Sequence, residues 1–177
     1  MNPYSNFNIP AVDGFLVWLS GTPLRLFLYR FEQWDWLVVF AHVASAGLLL
    51  GAILIVDVRL LGVMRRIELR ALAGLALPWA VGGAIVSLFT GFVLLMFDPI
   101  AVGVHTYFVP KMALILLGLV NAVAFHRIVR LDGAETRAFP TRLAAITSIA
   151  LWTGVFLCAS LNSTERISSG LHAEATR

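Results

Sequence analysis

Four stretches of this chain are too long and too apolar to be left in water, and they limit the fold more than anything else in the sequence. They run from about Trp34 to Val58, Ala71 to Phe97, Tyr107 to Val129 and Pro140 to Leu161. Each is as long as the roughly 20 apolar residues an α-helix needs to cross the hydrocarbon of a bilayer. In lipid every backbone N–H and C=O must be satisfied without water, so such runs read as transmembrane helices. Composition agrees: 59% of the residues are hydrophobic and 13% charged, with a mean hydropathy of +0.87, whereas soluble domains carry about a quarter charged residues.

The links between the runs, Arg59 to Arg70, Asp98 to Thr106 and Arg130 to Phe139, are short. Short links make neighbouring helices antiparallel, so residues 34–162 are expected to form an all-α, up-down four-helix integral membrane bundle. Residues 1–33 read as an irregular arm followed by two short helices, with Thr22 as the N-cap of the second and Pro23 at its first position. Neither is long enough to cross alone. Trp18, Phe27, Tyr29 and Phe31 beside Arg25 and Arg30 suit either the headgroup interface or a cap packed on one end of the bundle. Residues 163–177 are polar and are expected to form a mobile tail. Met1 to Pro10 has no basic residue, and Asn2, Asn6 and Asn8 interrupt any apolar run, so no cleavable signal peptide is expected.

All but one of the 13 basic residues are Arg, and most of them flank apolar runs. That placement is a topology signal and not a nucleic-acid footprint. Arg59, Arg65, Arg66 and Arg70 surround the first link, and Arg127, Arg130, Arg137 and Arg142 the third, while Lys111 stands alone beside the middle one. On the N-terminal flank Arg25 and Arg30 are offset by Glu32 and Asp35. The expectation is a multi-pass protein of the bacterial inner (cytoplasmic) membrane with both termini in the periplasm. The lone Cys158 excludes an internal disulfide. No phosphate-cradling loop, zinc-protease motif or serine nucleophile elbow is present, so the chain is not expected to be an enzyme on its own.

Small residues mark packing faces: Gly83, Ser87 and Gly91 recur every four residues in the second span, and Gly47 and Gly51 in the first. Asn121 in the third span is expected to bond across helices. His42 is the residue out of keeping with its surroundings. It lies roughly 12 Å below the outer interface, counted at 1.5 Å per residue from Trp34. An ionisable group at that depth faces the protein interior, either as a ligand or proton-handling group or as a hydrogen-bonded structural histidine. Met96, His105 and Met112 are expected in the same half, and imidazole with thioether suits haem iron or copper. Lys111, near His42, would favour an anionic group such as a haem propionate.

His126 falls about 22 Å further along its helix than Lys111, near the arginine-rich face, with no histidine at its own depth. That argues against two haems each held by a pair of histidines, and leaves His126 to touch headgroups or quinone. Asp57, about 22 Å from His42, is expected to pair with the arginine-rich layer around Arg59 or with Arg127 or Arg130.

AHVASAGLLLGAILIVDVRLLGV, LPWAVGGAIVSLFTGFVLLMF and FVPKMALILLGLVNAVAFH resemble a family of small four-span bacterial inner-membrane proteins. The matching features are His42, the Asp-x-Arg-Leu-Leu-Gly close at Asp57 to Gly62, Pro78-Trp79, Thr90-Gly91 and Lys111-Met112, within roughly residues 34–130. More distantly the layout is similar to CopD-like copper-resistance membrane proteins and to b-type cytochrome membrane subunits, which implies redox or copper work at the outer face. The leading expectation is a subunit that holds a b-type haem through His42, with Met112 or His105 as second ligand, and that passes electrons between a periplasmic partner and quinone or a neighbouring subunit. The alternatives are copper handling through His42, Met96, His105 and Met112, and a non-catalytic accessory subunit packed in a larger membrane complex or a homo-oligomer.

Overall fold

A computed structural model of the chain describes residues 10–128 and 138–175, with side chains over 11–125 and 139–164. The described residues are helical throughout, with no strand. The elements are α1 (Pro10–Ser20), α2 (Pro23–Tyr29), a 3₁₀ turn (Glu32–Trp34), α3 (Asp35–Leu60), α4 (Leu69–Phe97), α5 (Pro99–Gly103), α6 (Phe108–Ile128) and α7 (Ala138–Ala175). Four stretches are long and apolar enough to cross a membrane: Glu32–Leu60, Leu69–Phe97, Phe108–Phe125 and Phe139–Thr164. The four expected spans are therefore present, and the all-α bundle with them.

The ends of these helices follow from local chemistry. Gly62, at φ +99°, sits just past the end of α3. Gly62 N–H donates to Arg59 O at 3.0 Å and Val63 N–H to Val58 O at 3.2 Å, the paired bonds by which a left-handed residue closes a helix. The Asp-x-Arg-Leu-Leu-Gly sequence is thus a helix stop. Arg59 Nε then donates to Ile67 O at 2.7 Å and ties down the turn into α4. At the other end the middle link is not a plain loop. Asp98 caps α5 by accepting from Ala101 N–H at 2.9 Å, with Pro99 at the first position.

Thr22 and Pro23 begin α2 as expected: the Thr22 side chain accepts from Arg25 N–H at 3.3 Å. The N-terminal helices pack on the end of the bundle. α1 packs on α5, and α2 on α4. Leu16 and Leu19 are buried, Leu16 against Gly103, where any side chain would collide with it. Arg25 Nη2 donates to Phe97 O at 3.3 Å, satisfying a carbonyl in the last turn of α4. The bent α1–α2 pair, turning by 62°, is apolar enough by length and composition for one further broken crossing.

The helices pack in the order α4, α3, α7, α6. The α3–α4 contact is the closest. A Cβ on Gly83 would come within 2.7 Å of Ser45 O and 2.9 Å of Leu49 N, so only glycine lets these backbones meet. α6 meets α7 through Gly118 under Trp152 and Gly154 under Leu114. Leu49, Ala80, Trp152 and Val155 form the central core. Among the described residues no comparable contact joins α4 to α6, the two ends of this order, which leaves a seam between them.

The backbone of α7 continues past Asn162 to Ala175, so residues 163–175 of the polar tail are helical. Ser163 and Thr164 turn their hydroxyls back onto Ala159 O and Ser160 O at 3.1 and 3.2 Å, which lets polar residues stay in the helix.

Candidate functional site

His42 lies on the face of α3 that meets α4, where Ser87, Thr90 and Gly91 form a shallow groove. The groove exists because Gly91 has no side chain: a Cβ there would come within 2.9 Å of His42 Cε1. Nδ1 lies 2.9 Å from Ser87 O and 3.2 Å from Thr90 Oγ1. Thr90 Oγ1 already donates to Val86 O at 2.7 Å, so it meets the imidazole as an acceptor. Two acceptors at one nitrogen put the proton on Nδ1, which donates to Ser87 O. Nε2 is then left with its lone pair and, among the described residues, no hydrogen-bond partner. A ring nitrogen held by a backbone carbonyl while the other stays open is the usual preparation of a ligating histidine.

The remaining candidates are dispersed. Lys111, half-buried at the start of α6, is near enough to His42 for their charges to interact, and its ammonium stands 5.7 Å from the centre of the Phe108 ring. Met112 is 40% exposed on α6. Met96 is buried at the end of α4. His105 lies in the turn between α5 and α6, partly buried, and is engaged in an interaction of its own. No described contact joins Met96, His105 or Met112 to His42, and no group of three His, Cys, Asp or Glu suited to a metal occurs among the described residues. The side chain of His126 lies outside the described residues.

Asp57 departs from its expected role. It is 6% exposed, and its Oδ2 is buried without a hydrogen-bond partner. The carboxyl meets the Ser148 hydroxyl of α7 and no arginine among the described residues; Arg59 is turned to Ile67 O, and the side chains of Arg127 and Arg130 lie outside the described set. Helix register explains the difference: two positions on from Asp57, Arg59 falls about 200° round the helix and serves the loop. Asp57 lines a cavity of ≈ 70 Å³ between all four spans. Asn121 lines it too and, as expected, bonds across helices, its Nδ2 donating to Ala144 O at 3.2 Å. The signal in the sequence is the acid itself, set in an otherwise apolar helix near an arginine-rich layer.

The fold and site define a small four-span membrane protein with a held imidazole at its capped end and, toward its other end, a carboxyl that meets no cation among the described residues. Compared with protein-family models, with curated proteins and with solved structures, the chain matches none.

Proposed function

We propose that the chain is a small integral membrane subunit of the bacterial inner membrane that offers His42 Nε2 as an axial ligand to a b-type haem and passes electrons between a periplasmic partner and quinone or a neighbouring subunit. The observation that carries this reading is the fixed tautomer of His42, with Nδ1–H spent on Ser87 O and Nε2 open. Haem, when bound, supplies a one-electron redox centre. Lys111 supplies a cation for its propionate at the same end of the bundle. The fit is to one axial ligand from this chain: Met112 is exposed on α6 and Met96 is packed into the capped end. His105 or a second copy is then the source of the other. Copper handling by His42, Met96, His105 and Met112 needs all four to converge, and is the weaker reading for that reason.

Both termini lie in the periplasm in this reading, with the arginine-rich end in the cytoplasm. A second reading, an accessory subunit of a larger complex, draws on the exposed apolar surface of α6, of whose spanning window only 6% is buried within the chain.

Absorption spectra of the purified protein, oxidised and reduced, together with metal analysis, decide among these. The haem reading expects a Soret band lost in His42→Ala. Bound copper without a porphyrin spectrum would replace it with the copper reading. Neither metal, with full assembly and partner activity in His42→Ala, would leave the accessory role.

A further inference from the structure

A carboxyl group inside a membrane bundle with one oxygen unsatisfied carries a desolvation cost that a hydrogen-bond donor would relieve. Asp57 is in that position: Oδ2 is buried, unpartnered and on the wall of a cavity. We propose that this cavity binds the hydroxyl head of a lipid-soluble ligand, a phenol or quinol, which enters between α4 and α6 and donates its O–H to Asp57 Oδ2. The proposal is independent of the reading of His42.

The walls choose the ligand class. Apart from Asp57, Ser148 and Asn121, the described residues that line the cavity are apolar, among them Ile53, Leu77, Phe125 and Trp152. Its ≈ 70 Å³ gives room for about five water-sized groups, yet a buried water needs two to four polar partners, and so apolar a wall cannot partner five waters. A hard cation takes about six oxygens, and the wall offers three oxygen-bearing side chains. An ammonium brings three donors to a single orphaned acceptor. A phenolic head brings one donor for the one free oxygen, and because the cavity is half open its ring, too large for ≈ 70 Å³, rests at the apolar mouth.

The packing order supplies the way in. Leu77 of α4 and Asn121, Ala122 and Phe125 of α6 stand on either side of the seam between these two helices. A molecule dissolved in the bilayer reaches Asp57 through that seam without crossing the charged end of the bundle.

The test is a binding isotherm for 4-heptylphenol on the full chain in lipid nanodiscs, with 4-heptylanisole, the same molecule without the O–H, as control. The phenol is expected to bind saturably, about tenfold more tightly than the ether, as befits one buried hydrogen bond whose loss leaves an oxygen unsatisfied. Asp57→Asn is expected to weaken the phenol about tenfold and leave the ether unchanged. Equal binding of phenol and ether, or an Asp57→Asn protein that binds the phenol as wild type does, would overturn the proposal. Should Asp57→Asn not fold, Ala144→Leu fills the cavity from α7; the proposal expects it to abolish saturable binding, and retained binding refutes it.

Discussion

At Gly91, one methyl group measures how firmly the imidazole of His42 is held. An alanine there would put its Cβ 2.9 Å from His42 Cε1, closer than such contacts occur, so the ring must shift in the groove and strain the bond to Ser87 O. Alanine in a helix interior gains up to about 1 kcal/mol over glycine, but crowding a packed site costs roughly 1–3 kcal/mol. Gly91→Ala is therefore expected to lower the thermal midpoint in detergent, and any spectrum that depends on His42 is expected to change with it. An unchanged midpoint and spectrum would show that the ring is not fixed by this groove. Gly62 gives a second residue-scale prediction. At φ +99° it closes α3, and any L-residue in a left-handed conformation costs about 1–2 kcal/mol. Gly62→Ala should lose about that much in equilibrium unfolding, while Gly62→Asn, which tolerates left-handed backbone better, should lose less.

Between elements, the glycines separate into those that touch and those that do not. A Cβ on Gly83 would meet the Ser45 and Leu49 backbones at 2.7 and 2.9 Å, and backbone cannot swing aside as the His42 ring can. At Gly47 and Gly51 nothing lies within 4 Å. Gly83→Ala is expected to force α3 and α4 apart and to destabilise more than Gly91→Ala, whereas Gly47→Ala and Gly51→Ala are expected to be neutral or to gain up to about 1 kcal/mol in the same assay. The four-residue spacing was legible in both helices, but spacing identifies a face and not what covers it. Gly83, Ser87 and Gly91 face α3, while Gly47 and Gly51 are left open. The helix ends are also partly legible: Thr22-Pro23 marks a helix start, whereas the role of Gly62 as a cap shows only in its backbone. Helix α5 and the continuation of α7 were missed, because Asp98-Pro99 and Ser163-Thr164 act through side-chain bonds to backbone that hydropathy does not register.

For the whole molecule, hydropathy marks the four long spans because the bilayer fixes their length, but it does not tell which helices touch. That choice decides the sites. α3 meets both α4 and α7, so its His42 is spent on Ser87 while its Asp57 faces Ser148 and a cavity instead of the arginines nearest in sequence. Depth arithmetic placed His42, Met96, His105 and Met112 in one half and could not see that Met112 would be exposed, since depth fixes height and not direction. The same division by height yields the last prediction. Arginine-bearing ends are retained in the cytoplasm during insertion, so the turn between α3 and α4 and the α5 segment must lie on opposite sides. In a Cys158→Ala background, Glu68→Cys probes the first without altering its arginines, and Ala101→Cys probes the second; both positions are exposed. A membrane-impermeant maleimide added to spheroplasts should label Ala101→Cys directly and Glu68→Cys only after permeabilisation. The reverse pattern would invert the proposed orientation and move His42 to the cytoplasmic half; labelling of both without permeabilisation would mean that α4 does not cross.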